Sequence, residues 1–286
     1  MYDAVLVTAG KIKRLEIQGA RNVAIEAIKS LENGTKQSTA KTKQEFLKEL
    51  SEAKKVLFAS RSTEPFMRNA ISFVIQAVDF SSETNVSSLV ENVSKVTGEY
   101  GSRVLTHCHS STVMKILKQA KSDGKQFELF CTESRPVFQG RITAKEMVEA
   151  GIKTTMFVDS AVRHFINEVD FVVVGADAIT SEGNVINKIG TSMIALAAKE
   201  ARTPFYVATE LLKFDPATIF GHYEKIEERN PQEVWDSSPE GLVIENPAFD
   251  VTRREFIHGI ICEEGIVAPD SVNELISRKY PWILQK

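Results

Sequence analysis

The spacing of hydrophobic residues changes near residue 100 and predicts two kinds of structure. Before that point, apolar residues recur every three to four positions, which is typical of helices that bury one face. This periodicity predicts helices at 11–31, with a break at 18–20, at 42–57 and at 67–78. The segment 81–92 is rich in Ser and Asn and is expected to be a loop that enters a further helix.

After residue 101, short apolar runs alternate with amphipathic segments of helical length. The runs predict strands at 103–106, 127–132, 154–158, 170–174, 204–208 and 257–261. The intervening segments predict helices at 111–121, 143–150, 161–168 and 188–201. Such an alternation indicates a buried parallel sheet with right-handed crossovers. The predicted fold is therefore α/β: a helical N-terminal domain (1–100) followed by a Rossmann-like, doubly wound parallel-sheet domain (101–286).

Composition and charge exclude several classes of protein. The 286 residues include 43% hydrophobic side chains, enough to bury a core, but the apolar runs are far shorter than the roughly 20 residues that cross a bilayer. The net charge is −3 and no basic block stands out, so neither a membrane nor a nucleic acid is the expected partner. Three cysteines do not make a disulfide framework, and no leader-like segment begins the sequence. A cytoplasmic protein is expected.

The predicted strand ends carry the candidate chemistry, because ligands of doubly wound sheets bind beyond the carboxyl ends of the strands. The first strand runs into His107, Cys108 and His109, just before a predicted helix. A helix N-terminus and nearby imidazoles lower a thiol pKa, so Cys108 is a candidate acid/base or nucleophile. A small buried residue fits this position equally well. A zinc site is less favoured, because successive residues of an extended chain point to opposite sides.

The fourth predicted strand ends at Gly175-Ala176-Asp177, where partial desolvation suits a carboxyl group to proton transfer. The simpler alternative is that Asp177 caps a turn or helix. Asn187 and Lys188, placed at the start of the next predicted helix, offer an amide and an ammonium group to a sugar or phosphate. Lys188 is also compatible with a solvated surface position.

A third loop places two arginines on either side of Pro136 and Gly140. Arg135 and Arg141 are suited to bind an anion bidentately, although surface arginines are the commoner explanation. Several strand ends with phosphate-compatible side chains, taken together, indicate a ligand site more strongly than any single one.

Five motifs, taken together, resemble one protein family. They are Leu105-Thr106-His107-Cys108-His109-Ser110, Thr132-Glu133-Ser134-Arg135-Pro136 with Gln139-Gly140, Gly175-Ala176-Asp177, Asn187-Lys188-Ile189-Gly190-Thr191 and Asn246-Pro247-Ala248-Phe249-Asp250-Val251-Thr252. The family comprises archaeal ribose-1,5-bisphosphate isomerase, methylthioribose-1-phosphate isomerase and the regulatory subunits (alpha, beta and delta) of the eukaryotic translation-initiation guanine-nucleotide exchange factor.

The resemblance implies a catalytic pair, Cys108 and Asp177, and a dimer or higher oligomer (a dimer or hexamer) built through the C-terminal domain. Because the exchange-factor subunits usually carry other residues at these two places, it favours an aldose-ketose isomerase. His109-Ser110 and the 158–164 segment are closer to the ribose-1,5-bisphosphate enzyme. Two alternatives stay open. One is a non-catalytic regulatory subunit that binds a nucleotide or sugar phosphate and docks on a translation initiation factor. The other is a methylthioribose-1-phosphate isomerase, which differs in the pocket for C5.

Two segments depart from the pattern of the isomerases. Ile17-Gln18-Gly19-Ala20-Arg21 replaces Ile-Arg-Gly-Ala, and Arg61-Ser62-Thr63-Glu64-Pro65 replaces Arg-Pro-Thr-Ala, which puts an acidic group near the expected phosphate. On a helix the displaced Arg21 lies nearly one turn from its expected place. No cofactor and no metal is expected. The candidate substrate-binding residues are Gly19, Ala20, Arg21, Arg61, His109, Ser110, Arg135, Gln139, Asn187, Lys188 and Lys213.

Overall fold

The computed structural model of the chain describes residues 3–17, 20–35, 43–61, 64–76, 102–223 and 225–284. The predicted loop at 81–92 and the candidate residue Gly19 lie outside these ranges.

Four helices form the first part of the described chain. They are α1 (Asp3–Lys13), α2 (Ala20–Thr35), α3 (Lys43–Ser60) and α4 (Pro65–Gln76). Their apolar faces meet in one core, in which Ile12, Leu31, Leu57, Met67 and Ile71 are almost completely buried. Pro65 begins α4, where a missing N–H and a fixed φ suit the first helical position. The periodicity of the sequence therefore predicted α2, α3 and α4 to within a few residues, whereas α1 both begins and ends earlier than predicted.

The rest of the described chain is built on two sheets. The strands are β1 (Ser102–Thr106), β2 (Phe127–Thr132), β3 (Lys153–Phe157), β4 (Phe171–Val174), β5 (Ala178–Ile179), β6 (Val185–Lys188), β7 (Phe205–Ala208), β8 (Phe249–Thr252), β9 (Gly259–Cys262) and β10 (Gly265–Val267). The helices are α5 (Ser111–Ser122), α6 (Gln139–Glu149), α7 (Val162–Phe165), α8 (Thr191–Ala201) and α9 (Val272–Lys279). The large sheet has the order β10-β9-β7-β4-β1-β2-β3, and the small one β5-β6-β8.

The centre of the large sheet is covered on both faces, which explains why β4 is apolar and buried along its whole length. Leu105, Val172 and Val174 pack into one core, whereas Val104 and Val173 pack into another on the opposite face. All of its pairings are parallel except that of β10 with β9. The predicted α/β fold class is confirmed. None of the helices in the described part of the chain is both long and apolar enough to cross a bilayer.

Three expectations from the sequence were wrong in detail. The helix predicted at 161–168 is the single turn α7 between two 3-10 turns. The helix predicted from residue 188 begins at Thr191, because 185–188 form β6, which pairs antiparallel with β8. The chain also contains antiparallel strands, in β5-β6-β8 and at β10. The four strands that were not predicted, β5, β6, β8 and β10, are short and lack an apolar run that distinguishes them from the neighbouring segments.

The strand order creates one crevice at the carboxyl edge of the sheet. The chain leaves β1 for β2 on one side and later returns to β4 on the other, so the strand order reverses between β1 and β4, the usual place for a ligand. The α4 helix docks beside this edge. The side-chain amide of Asn69 donates to the carbonyls of Leu212 (2.8 Å) and Phe214 (2.6 Å). Arg61, which follows α3, therefore lies next to the crevice.

Candidate functional site

A cavity of about 190 Å³ opens at this crevice, a size suited to a small metabolite. The predicted residues that line it are Arg61, Cys108, His109, Ser110, Gln139, Asp177, Asn187, Lys188 and Lys213. Cys108 follows β1 and Asp177 follows β4, and the two strands are paired neighbours. The structure thus brings together a thiol and a carboxyl group that are far apart in the sequence.

The backbone of Cys108 is held in a strained conformation. Its φ of +66° lies in the left-handed region, which a residue with a side chain seldom adopts. Its N–H donates to the Ser134 hydroxyl (2.8 Å), and its carbonyl accepts from the Thr143 hydroxyl (2.8 Å). The carboxylate of Asp159 accepts the N–H groups of Ser134 and Arg135 and so fixes the supporting loop. Surroundings that enforce such strain are common at functional sites.

The expected activation of the thiol by the helix N-terminus is not found in the structure. Burial raises the pKa of Cys108 to about 11, and the nearby charge of Lys188 only partly offsets this. The α5 helix begins three residues later, and the Ser110 hydroxyl caps it by accepting the N–H of Val113. Burial also lowers the pKa of His107, so this imidazole adds no positive charge. Cys108 is therefore predominantly a thiol at neutral pH.

His107 is a positioning residue. The carbonyl of Ile189 lies 2.8 Å from Nε2 and is an acceptor, so Nε2 carries the proton. Nδ1 then accepts from the Thr132 hydroxyl, at 2.5 Å. Both ring nitrogens are thus engaged by the protein, which argues against the zinc alternative. His107 ties the ends of β1 and β2 to the turn that precedes α8.

The opposite wall of the cavity depends on a close approach at Gly175. A Cβ at this position would lie 2.5 Å from Oγ and 2.8 Å from Cβ of Ser110. Gly175 therefore lets the loop that carries Asp177 approach the loop that carries Cys108. The ammonium group of Lys213 donates to the carbonyl of Ala176 and holds the Asp177 side of the cavity.

Replacing Gly175 by alanine is expected to lower kcat/KM by at least tenfold and to destabilise the fold by about 1–3 kcal/mol, because the methyl group would displace Ser110. Gly10→Ala is a suitable control, since Gly10 lies in α1 and a Cβ there would meet only the flexible end of the Arg14 side chain. Chemical denaturation and steady-state assays of both variants test this. Equal stability and equal kcat/KM of the two variants would contradict the role assigned to Gly175.

Cationic side chains line much of the cavity. Lys188 is only 5% exposed, and its ammonium lies 5.2 Å from the centroid of the Phe249 ring. Among the described residues Lys188 forms no salt bridge. Arg61 and Arg229 also line the cavity, and carboxylates hold both guanidinium groups. A nearly buried, unpaired ammonium is costly unless an anion accompanies it.

The amide group of Gln139 is another sign of a polar ligand. Its Oε1 is buried and accepts no hydrogen bond from the described residues. Buried polar atoms are nearly always satisfied, so an unpaired acceptor on a cavity wall suits a ligand hydroxyl.

Some predicted residues are not brought to the cavity. Arg135 is directed elsewhere: its guanidinium donates to the Val234 carbonyl (3.0 Å) and lies over the Phe138 ring. Arg141 also lies over this ring, 3.6 Å from its centroid. The proposed anion clamp is therefore not formed in this structure. Ala20 and Arg21 begin α2, but their side chains lie outside the described part, and their role stays a prediction together with that of Gly19.

Sequence reasoning missed several residues of the cavity wall. Arg229, Thr112, Ile142 and Phe249 line it, although none was a candidate. Only Phe249 stood in a motif of the sequence. Arg229 follows a polar loop with no strand before it, so nothing local marked it.

Comparisons with known proteins agree with this architecture. The sequence profile of the Initiation factor 2 subunit family matches residues 16–100 and 90–269. The chain is 40% identical to "Ribose 1,5-bisphosphate isomerase" of Methanocaldococcus jannaschii (98% of this chain, 97% of that protein) and 42% identical to the protein of the same name from Archaeoglobus fulgidus (97% and 94%). It is 35% identical to "Methylthioribose-1-phosphate isomerase" of Desulforamulus reducens (94% and 88%).

A solved structure from Pyrococcus horikoshii OT3, described as translation initiation factor eIF-2B, superposes with a TM-score of 0.80 at 28% identity, over 94% of this chain and 98% of that one. The resemblance inferred from the five motifs is confirmed. The chain belongs to the Initiation factor 2 subunit family.

Proposed function

We propose that this protein is an aldose-ketose isomerase that converts ribose 1,5-bisphosphate to ribulose 1,5-bisphosphate. The observation that carries the proposal is the single cavity that holds Cys108, Asp177 and a nearly buried, unpaired Lys188. The names and the near full-length similarity of the archaeal relatives support the same substrate.

The charge of the cavity favours a second phosphate over a methylthio group. Arg61, Lys188, Lys213 and Arg229 all line it, whereas large apolar side chains contribute only Ile142 and Phe249. A methylthio group gains from an apolar lining, and a phosphate gains from charge-assisted hydrogen bonds. This argument distinguishes two substrates that the sequence alone left open.

The first chemical task is to open a ring whose anomeric oxygen is esterified. Asp177 is proposed to give a proton to the ring oxygen while the Cys108 thiolate removes the proton from C2. The ring C–O bond breaks and a C1–C2 double bond forms, which leaves an enol that still carries the phosphate at C1. A positioned acid and a positioned base contribute typically 10²–10⁴-fold to such steps.

The second task returns both protons. Cys108 delivers its proton to C1, and Asp177 takes the proton of the C2 hydroxyl as the C2 carbonyl forms. Both groups then regain their starting states, and the net change is an isomerisation. Lys188 favours the thiolate because its charge lowers the pKa of Cys108. Arg61, Asn187, Lys213 and Gln139 are proposed to hold the phosphates and hydroxyls.

The test is a substrate assay. Purified protein is incubated with ribose 1,5-bisphosphate or with 5-methylthioribose 1-phosphate, and ketose formation is followed by NMR. We expect kcat/KM to be roughly 100-fold higher for the bisphosphate, since one phosphate makes charge-assisted hydrogen bonds that a thioether lacks. A preference for the methylthio sugar would identify the other isomerase. No turnover of either sugar, with capture of a translation initiation factor, would support the regulatory alternative.

We also propose that the protein forms a homo-oligomer and is located in the cytoplasm. Met156, Val158, Met193 and Leu196 are large apolar side chains that are about half exposed. Contact between copies of the chain would remove such side chains from water. The small number of scattered cysteines supports a reducing compartment.

A further inference from the structure

A completely buried carboxylate lies behind the cavity wall and takes no part in the proposed proton transfers. Glu64, between α3 and α4, is 0% exposed. Its Oε1 lies 3.2 Å from Nη1 of Arg61, yet neither carboxylate oxygen accepts a hydrogen bond from the described residues. A carboxylate that is completely buried and accepts no hydrogen bond is unfavourable in free energy when it is ionised.

Arg61 connects this carboxylate to the cavity. Its Nε donates to Oε2 of Glu227 at 3.2 Å, and its guanidinium lies 5.7 Å from the centroid of the Phe249 ring. Glu64 and Glu227 therefore approach different nitrogens of one nearly buried guanidinium group that also lines the cavity. A ligand anion that binds Arg61 has to compete with these two carboxylates.

We propose that Glu64 controls the anion affinity of Arg61: a phosphate binds Arg61 when Glu64 carries a proton and is rejected when Glu64 is ionised. The inference rests on the proposed function only in taking a sugar phosphate as the natural ligand. Glu64 acts through Arg61 and is a positioning residue.

The charges around Glu64 explain the direction of this control. Arg61 and Lys213 contribute positive charge, whereas Glu227 and the ionised form of Asp177 contribute negative charge. Arg68 of α4 also faces Glu64, but it is paired with Asp215 at 3.7 Å. Ionised Glu64 adds one more negative charge beside Arg61, which disfavours a phosphate dianion. The bound phosphate, in turn, favours the protonated form of Glu64.

The pH at which the anion affinity changes follows from the burial of Glu64. Burial raises the pKa of Glu64 to about 8; the charge of Arg61 opposes this, and the charges of Asp177 and Glu227 add to it. In the empty protein Glu64 is therefore mainly neutral at pH 7 and mainly ionised at pH 9. Anion binding at pH 9 must take up a proton from solvent, so the affinity falls as the pH rises through 8.

Sulfate is the appropriate probe, because its charge is constant over this range. Calorimetric titration of the wild-type protein is expected to show about eightfold weaker sulfate binding at pH 9.0 than at pH 7.5. Glu64→Gln should bind sulfate equally well, within about twofold, at both pH values. Glu64→Ala serves as a second variant if the glutamine variant does not fold. Circular dichroism establishes that each variant is folded.

Glu227→Gln is the matched control, since it removes the other carboxylate from the same guanidinium. Because the Glu227 charge raises the pKa of Glu64, this variant should keep the pH dependence but shift its midpoint to lower pH. The proposal is overturned if the wild type and the Glu64 variants lose affinity in parallel. It is also overturned if wild-type binding is independent of pH or undetectable at both pH values. A failed isomerase assay with the expected sulfate results would reject the proposed function alone.

Discussion

Replacing Cys108 by serine is expected to lower kcat by about 10³-fold while KM changes by only a few fold. The hydroxyl is nearly isosteric with the thiol, and the two backbone hydrogen bonds of residue 108, to Ser134 and Thr143, do not involve the side chain. The variant should therefore keep the shape of the cavity. It lacks a group that ionises readily enough to remove a proton from carbon.

The pH dependence of the wild-type enzyme gives a second readout. Because burial raises the pKa of Cys108 to about 11, only a small fraction is thiolate at neutral pH. We expect kcat to rise as the pH is increased from 7 toward 10, since the thiolate is the form that removes the C2 proton. A kcat that is unaffected by pH in this range would argue against thiolate chemistry in the slow step.

Cys131→Ala provides the control for the loss of a thiol. Cys131 is buried in β2 and does not line the cavity. Its replacement should reduce stability because it leaves a small void, but kcat should stay within about twofold of the wild type. Equal activity losses for Cys108→Ser and Cys131→Ala would show that the catalytic role assigned to Cys108 is wrong.

Asp177→Asn is expected to reduce kcat by 10²–10⁴-fold, again with little change in KM. An amide cannot give a proton to the ring oxygen or take one from the C2 hydroxyl. The main-chain N–H of Asp177 donates to the carbonyl of Ile186 (2.8 Å), so the loop should keep its position in the variant. Steady-state kinetics and ligand binding, measured on the same preparation, separate lost chemistry from lost affinity.

Asp170→Asn is the matched control, because Asp170 precedes the same strand, β4, at its opposite end. Its carboxylate is exposed and accepts the N–H of Arg103 at 2.6 Å. Its replacement should leave kcat within about twofold. If Asp177→Asn retained near wild-type turnover, Asp177 would instead be a structural residue at the end of β4.

The pattern of apolar runs explains much of what the sequence predicted about the site. The apolar runs that became β1 and β4 are buried on both faces, and the residues that follow them necessarily emerge at the same edge of the sheet. The sequence alone therefore marked Cys108 and Asp177 as candidate catalytic residues. Cys131 and Cys262 lie in β2 and β9 and are completely buried, so they are packing residues.

The electrostatic properties of the site were harder to predict from the sequence. The sequence places Cys108 before a helix and suggests a lowered pKa, but burial of the thiol raises its pKa instead. Arg135 stands in the right loop, yet the aromatic ring of Phe138 and the Val234 carbonyl hold its guanidinium elsewhere. Arg229 approaches from a distant loop, which no local pattern could indicate.

The sequence by itself determined the helices, the central parallel strands, the family and the two residues proposed for proton transfer, because each depends on local periodicity or on residue type next to a strand. Only the tertiary structure decided which charges share the cavity, how Gly175 brings its two walls together and how Arg61 is held between Glu64 and Glu227. These features depend on distances between residues remote in the chain, and electrostatic interactions in a buried site vary steeply with distance and solvent exposure.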